Sequence, residues 1–150
     1  MRLLLQRVLQ AQVNVDGKTV GAIAQGYLLF LGVMKGDSEI EAKWLAEKVS
    51  KLRLFDSDSG KVNDWSILDI GGEVLVISQF TLAADIANGN RPDYTLAAPP
   101  VDAEKLYETF ISLLKSSGIK KVEAGVFGAE MEVSLINDGP VTLELERKAE

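Results

Sequence analysis

The stretch Asn137-Asp138-Gly139-Pro140-Val141-Thr142 decides how the C-terminal part of the chain is interpreted. On either side of it apolar and polar residues alternate, over residues 131–136 and over residues 141–146. Alternation with a period of two around a cluster of Asn, Asp, Gly and Pro is typical of a β-hairpin. The sequence therefore predicts a hairpin over residues 131–146, with the Gly-Pro pair at its tip. An ordinary tight turn would explain this stretch, so any function for it depends on the rest of the chain.

A second stretch, Ser78-Gln79-Phe80-Thr81-Leu82, follows directly on the apolar run 73–77. Such a run predicts a strand that is covered on both faces. Polar side chains at the end of a buried strand cost free energy unless they form hydrogen bonds. Backbone N–H groups exposed by a turn at this point would be able to stabilise a developing oxyanion. Residues 78–81 are therefore either a candidate catalytic site or buried hydroxyl groups bonded to the backbone.

The N-terminal part of the chain is rich in strand signals. Residues 2–15, 19–24 and 27–34 predict a three-stranded meander with turns at Asp16-Gly17 and Gln25-Gly26. A further short strand is predicted over 122–127.

Two amphipathic helices are predicted, near residues 38–54 and 102–117. Ser38 has the spacing of a capping box, and Trp44 lies on the apolar face of the first helix. Asp102 is the predicted N-cap of the second helix. Residues 1–150 are therefore predicted to form a single α+β domain, in which two helices pack against a curved, mostly antiparallel, barrel-like sheet.

The chain of 150 residues contains neither Cys nor His. Disulfide bonds, Cys nucleophiles, Cys/His zinc sites and a Ser-His-Asp triad are thus excluded. Proton transfer must use a carboxylate, Lys, Tyr, the backbone, water or the substrate. Residues 56–60 resemble the beginning of a calcium loop but lack its distal Glu, so they are interpreted as a turn. We expect no metal and no cofactor.

The net charge of −6 argues against DNA as a partner and against sequence-independent binding of nucleic acid. It leaves room for a few contacts to one end of an RNA. No apolar run reaches the ~18–20 residues of a membrane span. The apolar start of the chain is interrupted by Gln6 and Arg7, which is unlike a signal peptide. We therefore expect a cytoplasmic protein.

Together, the two stretches resemble the signature motifs of the D-aminoacyl-tRNA deacylases, the D-Tyr-tRNA(Tyr) deacylase family. The resemblance covers the whole chain, and its further matches are Arg2, Gln6-Arg7-Val8, Gly71-Gly72-Glu73-Val74, Arg91-Pro92 and Phe127-Gly128-Ala129. It implies a homodimer that binds the 3′ end of aminoacyl-tRNA and hydrolyses the ester of a D-amino acid. Glycyl-tRNA mischarged on tRNA(Ala) is a further expected substrate, because glycine has no side chain to exclude.

Site residues carry over from the family by position. The implied catalytic residues are Thr81, Ser78, Gln79 and Phe80. In the family the Thr has been proposed as the nucleophile, and the alternative is a water molecule assisted by the ribose 2′-OH of the substrate. The absence of His fits the second mechanism better, because no side-chain base is available to activate Thr81.

The implied substrate-binding residues are Gly139, Pro140, Asn137, Phe127, Met131 and Arg7. In the family the Gly-Pro peptide is cis, and it enters the pocket of the partner subunit. We expect a cis bond to turn the carbonyls of Gly139 and Pro140 toward the partner's residues 78–81. We expect Gly139-Pro140 to admit D-amino acids there and to reject L-amino acids. Phe127 and Met131 correspond to contacts with the terminal adenosine, and Arg7 corresponds to a support of the Gly-Pro peptide.

Two alternatives remain open. One is a deacylase of the sibling branch that acts on mischarged L-alanyl-tRNA, although both motifs differ in that branch. The other is a nonenzymatic dimeric interaction module whose hairpin tip binds a partner protein, but such a module has no need for polar residues at 78–81. One departure from the family is the loop 85–91, in which Arg91 is the only basic residue.

Overall fold

The computed structural model describes residues 1–149, which form a main sheet of six strands, a small sheet of two strands and two α-helices. The strands of the main sheet are β1 (Arg2–Val15), β2 (Lys18–Ile23), β3 (Gly26–Gly32), β6 (Glu73–Ser78), β7 (Lys121–Ala124) and β8 (Glu132–Glu146). The small sheet pairs β4 (Arg53–Phe55) with β5 (Trp65–Ser66), and the helices are α1 (Glu39–Lys51) and α2 (Pro100–Ser116). A 3₁₀ turn (Phe80–Ala83) follows β6.

The predicted α+β class and the curved sheet with two helices are confirmed, but the sheet is mixed. Its order is β2-β1-β3-β6-β7, with β8 on the free edge of β1. β1 pairs antiparallel with three strands, whereas β3, β6 and β7 run parallel to one another. The sheet curls until β2 approaches β7, where Lys121 Nζ donates to the carbonyl of Ala22 at 2.7 Å. Parallel strands in this sheet matter for the site, because their carboxyl ends meet at one edge.

The predicted N-terminal meander is wrong in its pairing. In a meander β2 would lie between β1 and β3. Here β2 and β3 both pair with β1, on the same edge of that strand. Residues 2–8 of β1 pair with β3, and residues 11–15 pair with β2. β1 has 14 residues, and β2 and β3 have 6 and 7, so one long strand accommodates both short ones.

The predicted C-terminal hairpin is also wrong. Residues 132–146 form one continuous strand of 15 residues, and both of its halves pair with β1 rather than with each other. The register shifts in the middle, where Thr142 pairs with Gln6 and Asn137 pairs with Val8. Residues 138–141 therefore bulge out of the strand opposite Arg7. The sequence pattern could not distinguish the two structures. A bulged strand and a hairpin both show alternating residues on either side of a group of turn-forming residues.

The helices begin and end close to their predicted positions. The capping box of α1 is present: the Ser38 hydroxyl accepts from the Ile40 N–H at 3.2 Å, and Glu41 accepts from the Ser38 N–H at 2.7 Å. Hydrogen bonding by the Ser38 side chain is the main reason that the pKa of Glu41 is lowered. Trp44, expected on the buried face, is 37% exposed beneath Lys48. The N-cap of α2 is Pro99 rather than Asp102, which lies in the first turn.

The core has two parts, one on each face of the sheet. The larger part lies between the sheet and the helices and contains Leu3, Leu5, Leu29, Leu45 and Phe110. The smaller part fills the inside of the curl; its residues are Val8, Ala11, Val13, Ile23, Leu28, Leu75 and Ile77. Of the helices in residues 1–149, none is both long and apolar enough to cross a membrane.

Candidate active site

A cavity of about 750 Å³ opens at the carboxyl ends of the parallel strands. Its wall contains residues from the end of β3, the end of β6 and the segment that follows β7, represented by Leu31, Ser78 and Phe127. The start of α2 and residues 94–99 close the other side. This volume is within the range of ligand pockets, ~300–1,000 Å³, and the carboxyl ends of parallel strands are a common place for them.

Three of the four predicted catalytic residues lie in the wall of this cavity. Ser78 is the last residue of β6, Gln79 follows it, and Phe80 begins the 3₁₀ turn. Thr81 is not among the lining residues; its hydroxyl accepts a hydrogen bond from Gln79 Nε2. The amides of Phe80 and Thr81 are the first two of the helical turn, and such amides have no partner within their own helix.

The 3₁₀ turn packs closely against β3 and is hydrogen-bonded to a side chain of β1. A Cβ on Gly32 would lie 2.9 Å from Leu82 Cβ, so the absence of a side chain lets the turn approach the strand. Arg2, which pairs with Gly32 across the sheet, donates from Nη1 to the carbonyl of Leu82 at 2.8 Å. Its Nε donates to Glu146 at 3.0 Å, and this bond is the main cause of the lowered pKa of that carboxyl. Arg2 thus links both terminal segments to the turn that carries Phe80.

The predicted adenosine contacts, Phe127 and Met131, also line the cavity, whose wall is mostly apolar. The Phe127 ring lies 5.9 Å from that of Tyr107, measured between centroids. The Tyr107 hydroxyl donates to the carbonyl of Val76 at 2.8 Å. Burial raises the pKa of Tyr107 to about 12, so this phenol stays protonated at neutral pH and does not supply a base.

The bulge that contains Gly139 and Pro140 is held by Arg7. The Gly139–Pro140 peptide bond is cis. Arg7 Nε lies 3.0 Å from the carboxylate of Asp138 and donates to its carbonyl at 3.2 Å, while Nη2 donates to the carbonyl of Gly139 at 3.5 Å. Nη1 donates to the carbonyl of Leu54. The guanidinium is nearly buried, so it fixes the bulge on the sheet while Gly139 and Pro140 remain exposed.

The bulge and the cavity lie apart within one chain. Arg7 pairs with Tyr27 at the beginning of β3, whereas the cavity is at the end of that strand, near Leu31. At ~3.3 Å per residue this separation along the strand is about 13 Å. None of the residues Asn137, Gly139, Pro140 and Arg7 lines the cavity of its own chain. Asn137 instead closes the base of the bulge, donating from Nδ2 to the carbonyl of Arg7 at 3.1 Å.

Several lining residues were missed by the sequence analysis. Lys35, Tyr94, Thr95 and Pro99 line the cavity, because residues 33–35 pair with residues 96–98 and bring both segments to its rim. Tyr94, Thr95 and Pro99 lie in the segment 83–100, whose length without a periodic pattern predicts a functional loop but does not indicate which of its residues face a site. Across residues 1–149, no group of three or more acidic side chains is placed to hold a metal ion.

The fold has a counterpart among solved structures. A structure described as a probable eukaryotic D-amino acid tRNA deacylase superimposes with a TM-score of 0.84 at 14% identity, covering 96% of this chain and 97% of that one. The c-Myc DNA unwinding element binding protein superimposes with a TM-score of 0.94 at 39% identity, covering 99% of this chain and all of that one.

Relatives in sequence identify the family to which the chain belongs. The D-aminoacyl-tRNA deacylase of Thermosipho africanus is 54% identical over 148 residues, which is 99% of this chain and 98% of that protein. That of Halalkalibacterium halodurans is 53% identical over 148 residues, covering 99% and 100%. The model of the D-Tyr-tRNA(Tyr) deacylase family matches residues 4–146, and the chain belongs to this family.

Proposed function

We propose that this protein hydrolyses the ester bond between a D-amino acid and the 3′ end of tRNA. The observation that carries the proposal is the cavity at the carboxyl ends of β3, β6 and β7, with Ser78 and Gln79 in its wall, in a chain of this family. An aminoacylated nucleoside has a flat aromatic base and a polar ester, and the lining offers apolar and aromatic side chains together with Ser78 and Gln79. Aminoacyl-tRNA is found in the cytoplasm, so we place the protein there.

Water is the proposed nucleophile. It adds to the ester carbonyl, the bond to the ribose oxygen breaks, and the proton from water passes to that oxygen. The chain has no His or Cys, and Tyr107 is held protonated, so the vicinal 2′-OH of the substrate is proposed to assist the water. The first amides of the 3₁₀ turn, those of Phe80 and Thr81, would stabilise the oxyanion. Such donors typically contribute ~10²–10³ in rate.

Thr81→Ala is expected to retain deacylation, with a loss of about tenfold or less. Thr81 does not line the cavity, and its hydroxyl only accepts a hydrogen bond from Gln79. Removal of a true nucleophile costs ~10⁶ in kcat. The measurement is single-turnover hydrolysis of D-tyrosyl-tRNA, with circular dichroism to verify folding. A folded variant without detectable activity would contradict the proposal that the Thr81 hydroxyl is dispensable.

The bulge is proposed to complete the cavity of a second copy of the chain. Gly139 and Pro140 are exposed about 13 Å along β3 from their own cavity, at ~3.3 Å per residue. Apolar side chains flank the bulge on the same surface: Leu9 is 52% exposed and Ile136 is 49% exposed. A two-fold axis through this surface would bury these side chains and would place each bulge at the other copy's cavity. We therefore propose a homodimer with two shared sites.

Chiral selection follows from this arrangement. Backbone carbonyls of Gly139 and Pro140 would accept hydrogen bonds from the α-ammonium of the substrate, while the 3₁₀ turn holds the ester. With both groups fixed, a D side chain points out of the cavity and an L side chain meets the backbone of the bulge. Glycine has no side chain to clash, so glycyl-tRNA is a proposed substrate as well.

The test is turnover of D-tyrosyl-tRNA against L-tyrosyl-tRNA. A clash of about 4 kcal/mol gives roughly a thousandfold preference for the D ester, at ~1.4 kcal/mol per factor of ten. Hydrolysis of L-alanyl-tRNA instead would favour the sibling branch, and no hydrolysis of any ester would favour an interaction module. Duplex DNA serves as a further control, and we expect no binding because the net charge is −6.

A further inference from the structure

Lys35 is the only charged residue among those that line the cavity in the described chain, residues 1–149. The remaining lining residues are apolar, hydroxyl-bearing or amide-bearing, and the whole chain carries a net charge of −6. Lys35 is therefore the one charged side chain that this lining offers to an anion, in an otherwise acidic protein.

The backbone of Lys35 is held in a fixed position. The Asp37 N–H donates to the carbonyl of Met34 at 3.1 Å, which closes a turn over residues 34–37. Gly36 occupies the third position with a φ of +88°, as a type II turn requires. The Lys35 N–H donates to the carbonyl of Leu96 at 2.9 Å, so the turn is bonded to the opposite rim of the cavity. The root of the side chain therefore stays at the rim.

The ammonium group of Lys35 is not neutralised within the part of the chain that the structure describes, because no carboxylate lies within 4.0 Å of it. The nearest acidic residue in sequence, Asp37, is engaged elsewhere. One of its oxygens accepts from the Met34 N–H at 2.6 Å, and the other accepts from the α-amino group of Met1 at 2.7 Å. Lys35 is thus positioned at the rim but has no anionic partner of its own.

The inference rests on the function proposed above. A bound aminoacyl-adenosine carries no anionic group, and the oxyanion that forms during hydrolysis is assigned above to the amides of Phe80 and Thr81. The first anion along the RNA is the phosphate on the 5′ side of the terminal nucleoside. We propose that Lys35 binds this phosphate, and that it is a site of RNA backbone recognition separate from the loop 85–91. Lysine binds phosphate as a point charge, without the geometry that Arg requires.

Two small substrates isolate this contact: 3′-D-tyrosyl-adenosine, and the same ester with a 5′-phosphate. In the unaltered protein we expect the phosphate to raise kcat/KM about tenfold or more, mainly through KM, because hydrogen bonds to charged groups are strong. In Lys35→Ala the ratio of kcat/KM between the two substrates should fall to about one. Lys35→Arg should keep part of the gain. Lys51→Ala, which removes an equal charge from an exposed position on α1, should keep all of it.

A second measurement uses intact D-tyrosyl-tRNA. The dependence of log(1/KM) on log[salt] should become less steep by about one unit in Lys35→Ala, since each phosphate contact contributes ~0.7–0.9. The inference is overturned if the 5′-phosphate has no effect in the unaltered protein, if its effect survives in Lys35→Ala, or if the salt slope is unchanged. Each of these results leaves hydrolysis of D-tyrosyl-tRNA intact, whereas absence of that hydrolysis would overturn the proposed function itself.

Discussion

Gly139→Ala is expected to fold normally and to lose about a hundredfold or more in kcat/KM on D-tyrosyl-tRNA. A Cβ at this position would come no closer than 3.5 Å to any atom of its own chain outside its immediate neighbours, and its φ is not in the left-handed region. The chain itself therefore gives no reason for a glycine here. The proposed dimer does, because a methyl group would displace the bulge from the ester in the partner's cavity, and a shift of ~1 Å at a reacting centre can cost ~10² in rate.

The subunit arrangement is tested by mixing two inactive variants. Gly139→Ala is combined with Ala129→Trp, whose indole should fill the cavity that Ala129 lines. If each site combines the bulge of one subunit with the cavity of the other, mixed dimers regain one intact site. After random exchange about a quarter of the sites should be active, because half of the dimers are mixed and each has one intact site. No recovery, together with exchange verified by mass spectrometry, would place the bulge and cavity of each site in one subunit.

Gly26→Ala is expected to prevent stable folding. Gly26 is the buried first residue of β3 and pairs with Glu73 in the parallel ladder. A Cβ there would lie 1.8 Å from the carbonyl oxygen of Glu73, and that atom belongs to the backbone, so it has no rotamer to yield. β3 and β6 would have to separate at their bases. We expect a loss of about 4 kcal/mol or more in the free energy of unfolding, which is exceptional for one substitution.

Gly139→Ala is the matched control for this experiment, because it is the same substitution at an open position. Its free energy of unfolding in urea should stay within ~0.5 kcal/mol of the unaltered value. A Gly26→Ala variant with an unchanged urea midpoint would contradict the close approach of the two strands. The pair of variants thus separates stability from function: one should abolish the fold, and the other should abolish the activity alone.

Gly26 also illustrates what periodicity cannot predict. From the sequence, Gln25-Gly26 was interpreted as a turn, whereas Gly26 begins a strand whose backbone nearly touches its neighbour. Glycine is used both where the chain turns and where two backbones approach closely. The two uses differ only in what lies opposite, and that neighbour, Glu73, is distant in sequence. The apolar character of β3 and β6 predicted two buried strands correctly, but it could not give their parallel pairing.

The candidate site, like the fold, was predicted only in part from the sequence. Residues 78–81 are unusual because polar side chains end a buried strand, whereas residues 137–142 fit a turn and take a role only from the family resemblance. The structure places Ser78, Gln79 and Phe80 in the cavity wall. Lys35 was missed because a lysine after a strand is ordinary in sequence, and its position at the rim depends on the pairing of residues 33–35 with 96–98. Local composition thus indicated unusual segments, whereas tertiary pairing decided which residues face the cavity.

Because β1 pairs with β8, the main sheet can be completed only at the end of synthesis of the chain. Val8 pairs with Asn137, and Arg2 pairs with Glu146, so one edge of the first strand stays open until the last strand leaves the ribosome. At ~5–20 residues per second this wait is on the order of ten seconds. Throughout it Arg7 lacks Asp138 and Gly139, and the open edge is available to any other nascent strand. A chain that is terminated before residue 137 would contain most of the cavity wall but not the bulge.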